Sequence, residues 1–557
     1  MRRLYLSSCM AILLVFSSLA MFQPANSLAT NQLQWIKQDG SKVFSNLMPY
    51  MHAKENDKKV PVIITLSDRK EALTLQKNMP KLTIKKSYRT LPMVAAYVNI
   101  SEIEALVNMK QVKQIEYDST VKAHMYKSTI WFGSHEVNKE NKLNIDGDMD
   151  GDSTSYSKED ATIAIVDTGI DPNHVNLDGG KVVGWYDGIN GRSQPYDDQG
   201  HGTHVAGIAA GEGSREQYKG AAPGASLVGV KVLNSIGSGT FSGVLAGIDW
   251  VIANKEVYGI DVLNMSLGAG GSSDGNDALS QAVNQVAAAG IVPVVSAGNG
   301  GPNERTISTP AAAQDAITVG ALADPSRGGF ALASFSSRGP TADGRVKPDI
   351  SGPGVNIIAP RANSGDQYIA YSGTSMASPY VAGSVALMIA ANPNLTYSEI
   401  KSILVETAHD MGPRGVDYYY GIGKINTYGA VQIAKNGQIT EGLFTPNLKY
   451  GEEDLPSSNI SDTWQIDTQK LENGVPISVS LTIPNWSFAK DFDLYLYDAD
   501  NKLVSSSTGN SPFKHIYYQP TTKGIYTIQI KATSGTGDYF IDVSAYTAPF
   551  SLIADDQ

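Results

Sequence analysis

Three polar residues stand out in the sequence because each one borders an apolar or small-residue run in a glycine-rich stretch. Asp167 ends the apolar run of "IAIVDTGID", His201 opens a small-residue run in "DDQGHGTHVAG", and Ser375 opens another in "SGTSMASP". A serine hydroxyl becomes a nucleophile when a base removes its proton and an anion orients that base. Aspartate, histidine and serine supply those three roles, so the three stretches together predict nucleophilic catalysis at a hydroxyl group.

Each of these residues also has an ordinary structural explanation. Taken alone, Asp167 is compatible with a strand-end turn, His201 with packing, and Ser375 with the capping of a helix. His204 follows His201 by three positions and is expected to pack rather than to bind a metal. The sequence has no H-E-x-x-H pattern, which argues against a zinc hydrolase. The joint occurrence of the three residues in this order, with Asn299 in "SAGN", favours catalysis.

The elements that must position these residues are predicted between residues 160 and 435. There, β-rich apolar runs alternate with alanine-rich helical runs, a pattern typical of an α/β parallel sheet with helices on both faces. Asp167, Ser266 and Asn299 each follow an apolar run. Sites in parallel sheets form at the carboxyl ends of strands, so we expect these residues to meet at one edge.

The regions on either side of this centre have other patterns. Residues 60–118 predict a small α/β unit, in which Ser101 and Glu104 have the spacing of a helix capping box. Residues 436–460 are polar and predict a linker. From residue 461 to 557, short alternating strands separated by turn signals predict a β-sandwich or jelly roll.

Residues 1–29 have the pattern of a secretory signal, with Arg2 and Arg3 before a short apolar stretch and small residues at its end. We therefore expect a secreted, extracellular protein. The single cysteine, Cys9, lies in this segment, so the exported chain would contain neither a disulfide nor a thiol nucleophile. No other stretch is typical of a membrane span.

Charge is distributed unevenly along the chain. Residues 1–127 carry a net charge of +9 and the remaining residues a net charge of −20. This asymmetry is compatible with a basic segment that binds the acidic body, and equally with two independent solvated surfaces. The acidic body argues against nucleic-acid binding, which requires a basic face.

Five stretches, in order along the chain, resemble the subtilisin-type serine peptidases: "VDTGID", "GHGTHVAG", "LNMSLG", "SAGN" and "SGTSMASP". The resemblance implies that Asp167 orients His201, that His201 is the general base and then the acid, and that Ser375 is the nucleophile. It also implies that the Asn299 side-chain amide and the Ser375 backbone N–H stabilise the oxyanion.

The resemblance further implies a subtilisin-like catalytic domain at 127–435, an inhibitor-type propeptide at 30–126 and a pre-peptidase C-terminal β domain at 461–557. Such a protein is a secreted serine endopeptidase that hydrolyses polypeptides through an acyl-enzyme intermediate. It is made as a zymogen whose own propeptide inhibits it until self-cleavage, expected here between Lys122 and Thr129. We expect a monomer with no nucleic-acid or membrane partner.

The same resemblance places a substrate cleft along the predicted sheet edge, with an extended peptide bound by β-strand addition. The implied substrate-binding residues are Ser266, Leu267, Gly268, Gly237, Gly239 and Ser308. Ser308 is expected near the base of the specificity pocket. The small residues that line this pocket predict a broad or apolar preference for substrate side chains. Glu304 is expected to favour basic side chains.

Calcium is the expected cofactor, in a structural role. "DGDMDGD" places carboxylates at Asp146, Asp148, Asp150 and Asp152, the spacing of the first half of an EF-hand loop. The twelfth position of this loop is Ser157 instead of glutamate, so a solvated acidic loop remains the alternative. Asn176 stands where many subtilisins have an aspartate ligand, which puts the best-known calcium site of that family in doubt.

A second function is compatible with the sequence. The chain could be a non-catalytic surface-binding protein in which aromatic strands of the C-terminal domain, such as "YLYD" and "HIYY", contact a glycan or a protein. The joint presence of Asp167, His201, Ser375 and Asn299 argues against this alternative.

Overall fold

The computed structural model describes residues 42–43, 59–80, 82–87, 92–117, 125–138, 143, 145–324, 330–439, 448–455, 461–468, 477–484, 489–520, 522–545 and 551–554. The predicted signal at 1–29, much of the linker at 436–460 and the first residues of the expected cleavage segment lie outside these residues. The chain divides into two units, Met1–Val121 and Lys122–Gln557.

The first unit is a four-stranded antiparallel sheet with two helices in the order βαββαβ. Its elements are β1 Val60–Leu66, α1 Arg69–Asn78, β2 Thr83–Ser87, β3 Met93–Val98, α2 Ile100–Asn108 and β4 Val112–Tyr117. The predicted capping box is displaced by two residues. Asn99, rather than Ser101, accepts the hydrogen bond from the N–H of Glu102, and the Glu102 side chain bonds the Asn99 N–H in return.

The second unit contains a seven-stranded parallel sheet with strand order β11-β10-β9-β8-β5-β7-β6. Its strands are β5 Thr162–Asp167, β6 Val182–Asp187, β7 Ser226–Lys231, β8 Ile260–Met265, β9 Val292–Ser296, β10 Ile317–Leu322 and β11 Ile350–Pro353. The strand order reverses between β5 and β8, and a reversal of this kind opens a crevice at the carboxyl ends of the strands.

Helices pack on both faces of this sheet, as the alternating sequence pattern predicts. They are α3 Met125–Phe132, α4 Ser134–Val137, α5 His201–Ala210, α6 Phe241–Ala253, α7 Lys255–Tyr258, α8 Ala278–Ala288, α9 Thr374–Ala391, α10 Tyr397–Thr407 and α11 Thr427–Asn436, with a 3₁₀ turn at Glu216–Tyr218. Ile163 and Ile165 belong to the hydrophobic core that includes α5 and α9, whereas Ala164 and Val166 belong to the core formed with α6 and α8. The predicted α/β fold class is confirmed.

Small residues let α5 and α9 approach each other closely. A Cβ added at Gly383 of α9 would lie 2.5 Å from the Ala209 carbonyl oxygen of α5. The alanine- and glycine-rich sequences of the two helices therefore bring their N-terminal ends to the same edge of the sheet. Among the described helices, α9 alone has the length and apolar composition of a membrane span, but 83% of it is buried in the fold, as expected for a core helix.

The C-terminal part is a β-sandwich of two antiparallel sheets, with strand orders β14-β21-β16-β19 and β18-β17-β20-β15-β22. Its strands are β14 Leu448–Leu455, β15 Ser461–Asp467, β16 Ile477–Thr482, β17 Asp491–Tyr497, β18 Leu503–Ser507, β19 Phe513–Tyr518, β20 Ile525–Ser534, β21 Gly537–Ala545 and β22 Ser551–Ala554; a separate ribbon pairs β12 Ile357–Pro360 with β13 Tyr368–Tyr371. Apolar side chains from both sheets form a single core, as the predicted sandwich requires.

Candidate active site

Asp167 is the last residue of β5, beside the point where the strand order reverses, and it is fully buried. Its Oδ1 accepts a hydrogen bond from the Thr168 N–H at 2.7 Å. The Nδ1 of His201 lies 2.8 Å from Asp167 Oδ1 and 3.0 Å from Oδ2. With its proton on Nδ1, the imidazole donates to this carboxylate and has Nε2 available as a base.

His201 is the first residue of α5, and the turn before it is fixed by Asp197. One Asp197 oxygen accepts from the N–H groups of Gln199 and Gly200, and the other accepts from the N–H and hydroxyl of Thr203. Burial lowers the pKa of His201, but the charge and hydrogen bond of Asp167, together with the charge of Asp197, raise it above its ordinary value. The site therefore stabilises the protonated imidazolium.

Ser375 is the second residue of α9, and its hydroxyl donates to the carbonyl oxygen of Ser266 at 3.2 Å. In turn, the Ser266 hydroxyl donates to the Ser375 carbonyl oxygen at 2.8 Å. Asn264 donates to the Ser266 hydroxyl at 3.1 Å and accepts from Ser378 at 2.7 Å. This chain of buried hydrogen bonds fixes the start of α9 against the end of β8.

Sequence reasoning missed this role of Asn264 and Ser378. The available signal was a polar asparagine inside the apolar run "VLNM", at a position that is completely buried in the strand. A buried amide needs partners, and leaving one of its groups unpaired costs about 1–3 kcal/mol. A hydroxyl one helical turn after Ser375 was the natural partner to look for.

Asn299 follows the end of β9, and its orientation is set by α9. Its Oδ1 accepts from the Thr374 N–H at 3.0 Å and from the Thr374 hydroxyl at 3.1 Å. A methyl group added at Gly373 would lie 3.4 Å from Asn299 Nδ2 and 3.6 Å from Ser375 N. The side-chain amide nitrogen of Asn299 and the backbone nitrogen of Ser375 therefore lie close to the same point beside Gly373.

Two cavities adjoin at this edge of the sheet and share the wall Ser266–Ala269. Ser375, Asn299 and Ser308 line the first cavity, of about 540 Å³. His201, Gly237 and Gly239 line the second, of about 450 Å³. The structure therefore places at one cleft the expected substrate-binding residues and three of the four expected catalytic ones; the fourth, Asp167, is buried behind His201.

The chain has clear sequence relatives. Residues 158–423 match the Subtilase family, Peptidase_S8. Serine protease AprX of Bacillus subtilis (strain 168) is 44% identical over 293 residues, which cover 48% of this chain and 66% of AprX. Subtilisin DY of Bacillus licheniformis is 40% identical over 279 residues, which cover 50% of this chain and 93% of the relative. The chain belongs to the subtilase family.

Among solved structures, Sphericase is similar at 34% sequence identity, with a TM-score of 0.42, and the match covers 48% of this chain and 90% of that chain. Members of the subtilase family are serine endopeptidases, and relatives of this subtilase are named as subtilisins and as a serine protease. The enzyme class predicted from the sequence, a subtilisin-type serine endopeptidase, is confirmed.

Glu304, which is expected to favour basic side chains, does not line the cleft of this subtilase. Glu304 accepts a hydrogen bond from the Tyr419 hydroxyl at 2.7 Å and is absent from the lining of either cavity, both of which lie within the described residues. Arg305 lines the first cavity instead. Arg305 has a left-handed backbone, with φ of 58°.

The acidic loop brings three of its four predicted ligands together. One oxygen each from Asp146, Asp148 and Asp150 lies within 4.8 Å of the others. Asp146 is 6% exposed; its Oδ2 accepts from the Gly151 N–H at 2.8 Å, while its buried Oδ1 has no partner. Asp152 lies outside this group, because its Oδ1 accepts from the N–H and hydroxyl of Thr154.

The side chain of Asn176 is already occupied by protein partners. Its Oδ1 accepts from the Gly213 N–H at 2.6 Å and its Nδ2 donates to the Tyr218 carbonyl oxygen at 3.1 Å. This arrangement agrees with the departure from the subtilisin pattern at this position. His204 packs as expected, with Nε2 on the Ile369 carbonyl oxygen at 3.0 Å and its ring 4.5 Å from that of Tyr371.

Lys231 is a further buried residue at this edge that the sequence analysis did not single out. It ends β7 and donates to the carbonyl oxygens of Thr168 and Leu233 and to Asp198 at 2.7 Å. Its ammonium group thereby ties the segments that follow β5 and β7 to the loop before His201. A lysine within the apolar run "VGVKVL" was the available signal.

Proposed function

We propose that Ser375 is the nucleophile of this subtilase, with His201 as general base and then acid and Asp167 as the carboxylate that orients it. The observation that carries the proposal is the pairing of His201 with the buried carboxylate of Asp167, at 2.8 Å, in the cleft that Ser375 also lines. Rotation of the Ser375 hydroxyl away from the Ser266 carbonyl would offer its proton to Nε2 of His201. Hydrogen bonds of this kind commonly tighten only when substrate is bound.

In the acylation step, Ser375 Oγ attacks the carbonyl carbon of the substrate while its proton passes to His201. The charge of Asp167 stabilises the resulting imidazolium, consistent with the raised pKa of His201. The carbonyl oxygen becomes negative and accepts hydrogen bonds from Asn299 Nδ2 and Ser375 N, the two donors that lie close to the same point beside Gly373. His201 then protonates the leaving amine, and water hydrolyses the acyl-enzyme by the same steps in reverse.

The substrate is an extended polypeptide. We infer that it pairs with the backbone of Ser266, Leu267 and Gly268, while Gly237 and Gly239 form the opposite rim. The side chain next to the cleaved bond enters the first cavity, beside Ser308. Small and neutral groups dominate that lining, which favours apolar or small side chains.

Arg305 is the only charged residue that lines this cavity among the described residues. It therefore disfavours basic side chains, in contrast to the expectation drawn from Glu304.

We also infer a structural calcium ion at Asp146, Asp148 and Asp150. Carboxylate oxygens are the ligands that calcium prefers, and the buried, unpartnered Oδ1 of Asp146 lies beside this group. In the Ser375→Ala background, which prevents self-digestion, calcium should raise the melting temperature relative to chelator. Asp146→Asn should abolish that difference, whereas equal calcium shifts in both proteins would overturn the site.

The proposal extends to biosynthesis. Residues 1–29 act as a secretory signal and residues 30–126 as an inhibitory propeptide that the enzyme removes, so that the mature protein is extracellular. The small βαββαβ unit within Met1–Val121 and the basic charge of residues 1–127 support a folded, separable inhibitor of an acidic enzyme.

Ser375→Ala tests the catalytic proposal directly. Wild-type protein should label with a fluorophosphonate, cleave casein and lose its propeptide, whereas Ser375→Ala should do none of these and accumulate as a precursor. Ser372→Ala is the matched control, because its exposed hydroxyl lies three residues away and only accepts from the Asn356 N–H. Equal labelling of wild type and Ser375→Ala would refute the assignment, and no labelling of either would favour the non-catalytic alternative.

A further inference from the structure

The β-sandwich contacts the peptidase domain through Phe513, the first residue of β19. Phe513 is half-buried and packs against the hydrophobic core of the peptidase sheet rather than against the core of its own sandwich. Its ring lies 4.2 Å from the guanidinium carbon of Arg338. It also meets the ring of Tyr419 edge-on, with the ring centroids 5.9 Å apart.

Arg338 is an unusual buried cation. Its side chain is 1% exposed, and its Nε and Nη2 have no hydrogen-bond partner. Nη1 donates to the carbonyl oxygen of Pro302. Because burial of a guanidinium is costly, the aromatic face of Phe513 is a favourable contact for this charge, in addition to the electrostatic attraction of Glu304.

Arg338 and Tyr419 together hold the segment 302–306, which forms part of one wall of the specificity cavity. The backbone of Arg338 exchanges hydrogen bonds with Thr306, whose N–H donates at 2.9 Å. The N–H of Arg305 donates to Gly339 at 3.0 Å, and Tyr419 donates to Glu304 at 2.7 Å. Arg305 and Thr306 line the cavity that contains Ser375.

We propose that Phe513 is a positioning residue for substrate specificity, through which the C-terminal β domain fixes the cavity wall at 302–306. The inference rests on the proposed peptidase function of this cleft. It assigns the β domain a role in substrate binding without direct contact with the substrate. The catalytic residues lie on other elements, so the chemical step itself is independent of Phe513.

The kinetic test compares peptide substrates that carry phenylalanine or alanine before the cleaved bond. In Phe513→Leu and Phe513→Ala, kcat/KM for the phenylalanine substrate should fall about three- to tenfold through KM, with kcat nearly unchanged. The alanine substrate, which fills little of the cavity, should change less than twofold. Concentrations are set by titration of Ser375 with an irreversible inhibitor, so that misfolded protein is not counted.

Phe492→Leu is the matched control, because Phe492 is fully buried in the sandwich core and belongs to the same domain. It should destabilise the sandwich but leave unaltered the ratio of kcat/KM for the phenylalanine substrate to kcat/KM for the alanine substrate. An equal change of that ratio in Phe492→Leu and Phe513→Leu would show a general loss of domain stability and overturn the proposal.

A second readout does not require activity. In the Ser375→Ala protein, hydrogen exchange of the segment 302–306 should accelerate about tenfold when Phe513 is replaced by leucine and stay constant in Phe492→Leu. Unchanged exchange in Phe513→Leu would refute the proposal. If the wild type instead fails to hydrolyse peptides while this exchange difference is observed, the proposed function fails and the positioning role of Phe513 stands.

Discussion

Buried polar groups are hydrogen-bonded to different extents in two regions of the molecule. One is the catalytic edge of the sheet, around Asp167 and His201, and the other is the junction with the β domain, around Asp417 and Asp542. At the catalytic edge, Asp167, His201 and Asn299 have hydrogen-bond partners for their buried side-chain atoms, within the part of the chain that the structure describes. At the junction, buried atoms of Asp410, Asp417, Asp542 and Arg338 have none. The two regions belong to one unit of the chain.

The carboxyl groups at the junction show how burial without a full set of hydrogen-bond partners changes a pKa. Asp542 accepts from the Gly412 N–H, and Asp417 accepts from the N–H groups of Tyr419 and Tyr420, but each has a second oxygen without a partner. Burial raises the pKa of Asp417 and of Asp542 to about 8, and nearby negative charge adds to the effect. A buried carboxylate with all its hydrogen-bond partners keeps a fixed charge and geometry. A buried carboxylate that lacks partners binds a proton when the protein folds, so the free energy of unfolding depends on pH.

The largest expected effect comes from breaking the pairing at the catalytic edge. Asp167→Asn should lower kcat about 10⁴-fold, because an amide no longer holds His201 in the tautomer that leaves Nε2 as base. It also removes the charge that raises the pKa of His201, so the acid limb of the remaining rate profile should move to lower pH. Steady-state kinetics across pH 5–9 measures both changes.

The control for this variant is Asp187→Asn. Asp187 ends β6, the edge strand of the same sheet, and accepts hydrogen bonds from the turn that follows it. It therefore represents the purely structural role considered for Asp167. If Asp187→Asn loses as much kcat as Asp167→Asn, the orienting role of Asp167 is not supported.

The next effect concerns the two donors beside Ser375. Asn299→Ala should lower kcat by about 10²–10³, the range known for the loss of such a donor in subtilisin itself, with little change in KM. Asn303→Ala, an exposed asparagine in the segment that follows, serves as the control and should retain kcat. A rise in KM at constant kcat in Asn299→Ala would indicate substrate binding instead of oxyanion stabilisation.

The catalytic edge was predictable from the sequence because its residues lie in short local motifs. Asp167, His201, Ser375 and Asn299 each follow a strand or open a helix, and the parallel-sheet pattern places such positions at one edge. The hydrogen bond between Asn264 and Ser378 joins residues 114 positions apart, and that between Ser266 and Ser375 joins residues 109 positions apart, so no local pattern specifies them.

The specificity wall and the junction were not predictable for two physical reasons. Arg305 lines the first cavity and has a left-handed backbone, a conformation that the local sequence did not indicate. The burial of Asp542 results from packing between two domains, while its strand pattern "YFIDVSA" gives no sign that the aspartate meets another domain. Tertiary contacts of this kind override local propensity.

At the junction, Asp542→Asn should change stability in a pH-dependent way. The folded protein holds the Asp542 proton between about pH 4 and pH 8 while the unfolded chain has lost it, so wild-type stability falls as pH rises through that window. The variant should match the wild type at about pH 4 and become progressively more stable than it as pH rises towards 8, by up to about 1.4 kcal/mol per pH unit. Denaturant unfolding in the Ser375→Ala background measures this difference.

Asp538→Asn is the control for the junction, because Asp538 lies exposed on the same strand. It should shift stability by less than about 0.5 kcal/mol at either pH. Asp410, Arg414 and Asp417 interact electrostatically with Asp542, and neither variant replaces them. A pH-independent effect of Asp542→Asn would mean that the junction carboxyl does not change its proton occupancy on folding.

The smallest expected effect concerns Arg305, whose role at the cavity wall differs from that of Arg338. Arg338 is buried under Phe513, whereas Arg305 is exposed at the cavity that contains Ser375. Arg305→Glu should shift kcat/KM toward substrates with lysine and away from those with glutamate, about two- to fivefold in each direction. The effect is small because water and salt screen an exposed charge.

Arg305→Gln distinguishes charge from shape, because it keeps much of the side-chain length but removes the positive charge. Its ratio of kcat/KM for lysine and glutamate substrates should lie between those of the wild type and Arg305→Glu. Because the interaction is electrostatic, 0.5 M salt should make this ratio similar in all three enzymes. If the glutamine and glutamate variants behave alike and salt has no influence, Arg305 acts by occupying space. The cavity would then select substrates by size, and the wall held by Arg338 and Phe513 would be its main determinant.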